Sequence, residues 1–223
     1  MRIGAHSKEA LKRATPLGRL KFTPAQCSNL SPLVARGYHS WRTRSLGLLS
    51  GEAFGLDREA RLFRALARPG PGERWLDVGT SSGFYAGVLA EAGARVLALD
   101  VSPAMLRAAQ ERQASAHIEW GLLNIEDSGL PSGRFHGVTV GATLNETADP
   151  ERALGEVQRL LRPQGRLWLM YVARSGGEVQ RALSRLGGTT FPDRAEVARA
   201  LHACDLRAAL VVREVTFELY VRR

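Results

Sequence analysis

Cysteine is nearly missing from this 223-residue chain, which holds only Cys27 and Cys204. The two stand far apart and join no C-x-x-C pair or His/Cys cluster, which argues against a disulfide scaffold and a structural zinc site. They read as reduced thiols of a cytoplasmic protein that needs no metal. No uninterrupted apolar run approaches the ~18 residues of a membrane span. No apolar stretch follows the basic N-terminal residues as a secretory signal requires. Internal repeats and low-complexity tracts are absent as well. What remains, with 44% hydrophobic and 24% charged residues, is the composition of one ordinary globular domain, expected as a monomer or homodimer.

The net charge of +9 is unevenly spread. Nine of the basic residues but only one acid, Glu9, fall within residues 1–44, so the body is nearly neutral. Residues 1–32 read as a basic arm, a solvated leader with at most a short helix and three prolines. Contact of that arm with RNA or an anionic membrane is the alternative. Residues 33–69 read as a helical cap, broken near Gly51–Gly55 and stopped at Arg68-Pro-Gly-Pro-Gly-Glu73.

From residue 70 to 223 strands and helices alternate. Strands are expected at 74–79, 94–101, 117–124, 134–143 and 165–173. Helices are expected at 83–92, from the N-cap Ser102 with Pro103 behind it, from Asp149 with Pro150 behind it, and over 193–205. Residues 210–215 and 216–223 read as a closing antiparallel pair. This order predicts an α/β fold, a Rossmann-like, open and mostly parallel sheet with helices on both faces.

The chemistry centres on Trp75-Leu-Asp-Val-Gly-Thr-Ser-Ser-Gly83. Gly79–Gly83 spells G-x-S-x-G, but it follows the first strand, no oxyanion loop precedes it and no Asp/His pair completes a triad, so a hydrolase elbow is rejected. A dinucleotide turn, G-x-G-x-x-G, would need glycines where Ser81 and Phe84 stand.

A third reading fits the whole stretch. Asp77-Val-Gly79-Thr-Ser81-Ser-Gly83 resembles motif I of class I S-adenosylmethionine-dependent methyltransferases, with Ser81 in place of a central glycine. Asp100, in Leu-Asp-Val-Ser-Pro, stands where the family places an acid on the ribose hydroxyls. Gly121-Leu-Leu-Asn-Ile125 resembles the family's G-D-A segment, and Leu160-Leu-Arg-Pro-Gln-Gly165 its L-R/K-P-G-G block. The resemblance runs in order over roughly residues 70–221. It implies S-adenosylmethionine as cofactor, with Asp77, Gly79, Ser81 and Gly83 at its methionine end and Asp100 and Val101 at the ribose. Met105, Asn124 and Ile125 then lie at adenine, and Gly141 and Ala142 beside the transferred methyl.

For the acceptor step His39, Tyr38 and Asn145 are the candidates, followed by Tyr85 and Glu146. His117, His136 and His202 read as structural. The quinone and lipid type of enzyme within this family has a short N-terminal lid, and Tyr38–Phe54, with Trp41, Leu46, Leu48 and Leu49, resembles one. A small apolar or amphipathic acceptor is therefore expected. The alternatives are an RNA or ribosome-associated methyltransferase and a non-catalytic S-adenosylmethionine-binding protein.

Overall fold

The computed structural model describes residues 22–50 and 55–223, the side chains of 45–50 excepted. Most of the expected arm, and Leu46, Leu48, Leu49 and Phe54 of the expected lid, lie outside that description. Helices and strands are numbered over the described residues.

Thr23 opens the first helix, α1 (Pro24–Ser28), with a reciprocal cap. Its hydroxyl accepts from the Gln26 N–H while the Gln26 side chain accepts from the Thr23 N–H. The cap continues as α2 (Pro32–Ser50) and α3 (Leu56–Ala67). Ala60, Phe63 and Ala67 of α3 are buried at helical spacing, and Arg68 ends the helix in the left-handed region.

The sheet begins at β1 (Arg74–Val78) and continues through α4 (Phe84–Glu91), β2 (Arg95–Asp100), α5 (Pro103–Arg112) and β3 (Ile118–Leu122). Next come β4 (Phe135–Val140), α6 (Pro150–Leu160), β5 (Leu161–Val172), α7 (Glu178–Gly187), α8 (Arg194–Ala200), β6 (Cys204–Val212) and β7 (Val215–Arg222). Strand order is β3-β2-β1-β4-β5-β7-β6, with the first five parallel and β7 antiparallel to both neighbours. The Rossmann-like expectation holds, including the N-caps: Ser102 Oγ accepts from Met105 N and Asp149 Oδ1 from Arg152 N.

Alternation along the strands divides the core into two layers. Leu76, Val78, Val138, Val140 and Leu169 face α6 and α8 residues Leu154, Val157 and Val197. Trp75, Val96, Ala98, Trp168 and Phe217 pack with Phe63 of α3 and Tyr85 and Leu89 of α4.

Three expectations are corrected. The helix expected over 193–205 ends at Ala200, because Cys204–Val212 is recruited as an edge strand by β7. The closing hairpin therefore turns at Arg213-Glu214 rather than between 215 and 216. Helix α7 occupies a stretch for which no element was expected. The fifth strand begins at Leu161, four residues early, its pairing with β4 shifting between Phe135 and Gly137.

Candidate functional site

Strand order reverses between β1 and β4, and open α/β sheets bind ligands outside the carboxyl ends of their strands at such a point. The turn after β1 sits there. Gly79 adopts φ +61°, and a Cβ on it would stand 2.0 Å from Thr143 Oγ1, so the loop after β4 closes directly onto this glycine. Ser81 also has positive φ, +50°, which a glycine would adopt with less strain. Its N–H donates to Asp100 Oδ2 at 2.9 Å, and Ser102 N–H donates to Oδ1 at 2.8 Å. Two backbone donors thus fix the Asp100 carboxylate across the gap between the ends of β1 and β2. Burial pushes Asp100 up to about 6 despite these donors.

A crevice of ≈30 Å³ is walled by Val78, Gly79, Ser81, Leu99, Asp100, Val101, Leu123, Asn124, Ile125, Thr143, Glu146 and Thr147, and closed by Gln26 and Asn29 of the α1 segment. Asn124 Oδ1 accepts from Glu126 N at 2.9 Å, which shapes the turn carrying Ile125. The sequence-derived Gly79, Ser81, Asp100, Val101, Asn124 and Ile125 thus converge on one cavity. Asp77 does not line it. That carboxylate lies beneath the turn, accepting from Thr80 Oγ1 at 2.6 Å and from Thr139 Oγ1 at 2.7 Å. Met105 likewise lies back from the crevice, packed with Ala35 and Tyr38 of α2. Gly83 caps α4 at φ +79°.

Thr23, Gln26 and Asn29 escaped the sequence reading, whereas Glu146, which they surround, was among its acceptor-step candidates. Glu146, half-buried, is pushed up to about 7 by burial and by the Asp100 charge. It accepts from Asn29 Nδ2 at 2.8 Å, and its main-chain oxygen accepts from Thr23 Oγ1 at 3.0 Å. Ser102 Oγ donates to the Asn29 carbonyl at 2.6 Å. The α1 segment is therefore strapped across the crevice by three hydrogen bonds. Its Thr-x-x-Gln cap was legible, but contacts spanning more than 70 residues leave no local signal.

Gly141, expected beside the transferred methyl, does not line the crevice; a Cβ there would stand 3.6 Å from Arg42 Nη1 and from the Tyr85 ring. Arg42, on α2, is 7% exposed and pairs with the fully buried Glu59 of α3 at 2.7 Å. Its guanidinium lies 4.9 Å from the Phe84 ring centre and 5.5 Å from that of Tyr85. The Tyr85 hydroxyl donates to Glu59 and accepts from Trp168 Nε1.

The acceptor-step candidates fall in different places. Tyr38 is buried near Ser81 of the turn and pushed up to about 12, mainly by burial. His39 lies beside Arg112 and Arg42; burial and these cations hold its imidazole below the usual range. Asn145 spends its side chain on the backbone, donating to Val172 O at 2.8 Å and Thr190 O at 2.7 Å and accepting from Val172 N at 2.9 Å. It clamps the ends of β4 and β5 together. His136 accepts from Arg74 N–H at the far end of the sheet.

The sheet order, the turn after β1 and the acid at the end of β2 define a Rossmann-like methyltransferase fold. Residues 76–169 match the family described as "Methyltransferase domain". The chain is 37% identical over 95 residues to the malonyl-[acyl-carrier protein] O-methyltransferase of Serratia marcescens, covering 43% of this chain and 36% of that protein. It is 37% identical over 120 residues to the demethylmenaquinone methyltransferase of Thermus thermophilus, covering 52% and 54%. The matches thus span between a third and about half the length of these relatives. Among solved structures, geranyl diphosphate C-methyltransferase from Streptomyces coelicolor A3(2), in complex with Mg2+, geranyl-S-thiolodiphosphate and S-adenosyl-L-homocysteine, superposes with a TM-score of 0.68 at 14% identity, covering 75% of this chain and 76% of that one. Over residues 76–169 the chain thus carries a methyltransferase domain of the S-adenosylmethionine-dependent type, whose cofactor is S-adenosylmethionine.

Proposed function

We propose that the protein transfers a methyl group from S-adenosylmethionine to a small apolar or amphipathic acceptor. The observation that carries this reading is the Asp100 carboxylate, held by the N–H groups of Ser81 and Ser102 at the crevice mouth. A carboxylate fixed in this way accepts from a vicinal diol without reorganising. The donor chemistry of the crevice fits an adenosyl group: an acid for the ribose, Asn124 and Ile125 for the adenine edge and face, and a positive-φ turn for the amino-acid tail.

The cofactor supplies an activated methyl for in-line displacement. The chain supplies alignment and dryness. Space in the crevice is taken up by Gln26 and Asn29, so the α1 strap yields when the cofactor enters. Small-molecule sites measure roughly 300–1,000 Å³, which the closed crevice does not offer. Asp77 acts indirectly, bracing the turn through Thr80 and Thr139. Tyr38, protonated throughout the physiological range, acts as a hydroxyl wall over the turn. His39, neutral at pH 7, is the side chain on the cap able to take a proton from an acceptor. The apolar acceptor is favoured by the surroundings of Gly141, where Tyr85, Phe84 and Ala142 surround a compensated Arg42–Glu59 pair. The relatives named for malonyl-carrier and menaquinone substrates agree with that class.

Incubation of the protein with methyl-labelled cofactor and separated quinone, fatty-acyl, RNA and metabolite fractions tests the proposal. Label entering an apolar small-molecule fraction is expected. Label entering RNA alone overturns the acceptor class, and failure of S-adenosylhomocysteine to bind in calorimetry overturns the activity.

A further inference from the structure

Helix α7 is built inside out. Its buried residue is Gln180, whose amide donates to Ala173 O at 2.9 Å and to Glu214 at 3.1 Å and accepts from Ser175 N at 2.8 Å. Val179, Leu183 and Leu186, spaced i, i+4, i+7 on one face, are 74%, 47% and 83% exposed. A surface helix ordinarily turns such a face to the core; this one holds the protein through a glutamine and offers its apolar side outward.

The crest is not isolated. Seven of the ten large hydrophobic residues exposed among the described residues are these three together with Leu30, Leu33, Val34 and Trp41. Leu30 lies in the turn after α1 and the other six on the two elements that flank it: α2 follows it directly, and α7 abuts it where a Cβ on Gly188, just past the helix, would stand 2.4 Å from Pro24 Cδ. The apolar residues therefore gather around the strap that closes the cofactor crevice. Exposed arginines accompany them, Arg36 and Arg44 on α2 and Arg181 and Arg185 on α7, with Glu178 the only acid on either helix. Behind the crest, Arg181 and Arg185 line a groove of ≈1320 Å³ that reaches Thr147, a residue also lining the crevice.

We propose that α7, with the start of α2, is a docking surface for an anionic lipid bilayer. An amphipathic helix with aliphatic side chains on one face and arginines on its polar side lies in the interface plane of such a membrane. Long arginine side chains reach from there to lipid phosphates. The charge of the patch, four exposed arginines against Glu178, selects an anionic surface. A second copy of the chain is a poorer occupant: ten helical residues extend about 15 Å, against the ~800 Å² per partner of a stable dimer. For its purpose the surface rests on the apolar-acceptor reading, since it would bring the crevice mouth to a phase in which such acceptors dissolve. Its physics does not depend on catalysis.

Sedimentation of the full chain with phosphatidylcholine vesicles, with and without phosphatidylglycerol, tests it. Binding to the phosphatidylglycerol vesicles that weakens with added salt is expected. V179S/L183S/L186S should lower the partition coefficient at least tenfold, and R181Q and R185Q about fivefold each. Removal of residues 1–21 should leave most of the binding. Calorimetry with S-adenosylhomocysteine on the same variants should give wild-type affinity, showing that they fold and testing the cofactor reading separately. The surface is overturned if the intact chain ignores anionic vesicles at low salt, or if the serine variant binds them as well as wild type. It is equally overturned if loss of residues 1–21 alone abolishes binding, or if the serine substitutions convert a stable dimer into a monomer without affecting vesicles.

Discussion

Asp100 shows how one side chain is made ready for a ligand at some expense to the empty protein. Its two oxygens already hold Ser81 N and Ser102 N, yet burial keeps its carboxyl near 6. Asp100→Ala should weaken S-adenosylhomocysteine binding by roughly 1.5–3 kcal/mol, the range for a hydrogen bond to a charged group; calorimetry at pH 8 measures this directly. Gly137 illustrates the opposite kind of constraint. A Cβ there would stand 2.3 Å from the Trp75 ring, which is fully buried between β4 and α3. Gly137→Ala should therefore cost about 1–3 kcal/mol of stability by overpacking, seen as a lower urea midpoint, with cofactor affinity in the folded fraction unchanged.

At the scale of elements, the α1 strap decides access. Its bonds from Thr23, Asn29 and Ser102 hold it across the crevice. Asn29→Ala removes a bond to the Glu146 side chain and should speed cofactor association in stopped-flow fluorescence by several-fold; an unchanged rate would mean that the strap does not limit entry. Elements differed in how well the sequence announced them. Pro103 behind Ser102 and Pro150 behind Asp149 are local signals, and both helices begin where these residues put them. Cys204–Val212 carries alanines and leucines that continue a helical pattern, and only pairing with β7 makes it a strand. Helix α7 turns its apolar face away from the core and lies between glycine pairs, so no element was expected there. In the site, residues following strand ends were legible because turn and acid are encoded within a few positions. The Arg42–Glu59 pair and the Asn29–Glu146 bond were not, because they join separate elements.

For the molecule as a whole, the cap is bolted to the sheet domain through Glu59, which receives both Arg42 and Tyr85. Glu59→Ala removes the carboxylate shared by these two groups and should cost about 3–5 kcal/mol, measurable by thermal melting. Acidity should move stability and binding in opposite directions. Glu146 near 7 and Asp100 near 6 both lie above their ordinary values, so their charges disfavour the fold at high pH; that cost starts to shrink as pH falls through these values and is gone once the ordinary carboxylate range is reached. Glu146→Gln should accordingly melt higher than wild type at pH 8, with the gap closing below about pH 7. Cofactor affinity should meanwhile fall below about pH 6 as Asp100 takes up a proton.

The order of the last three strands sets a timetable for assembly. β6 precedes β7 in the chain, but its one neighbour in the sheet is β7, which stands between it and β5. Until β7 has formed, β6 has no place to go, and β5 keeps an unpaired edge carrying Trp168, Met170 and Tyr171. The two strands must dock as a preformed hairpin or together. In pulse-labelled hydrogen exchange during refolding, amides of β6 should gain protection no earlier than those of β7, while the β1–β4 ladder is free to form ahead of both. Leu206 and Val211 remain half-exposed on the finished edge, with Arg207 and Arg213 beside them. Those charges discourage a second chain from adding its own strand to the edge that β6 leaves.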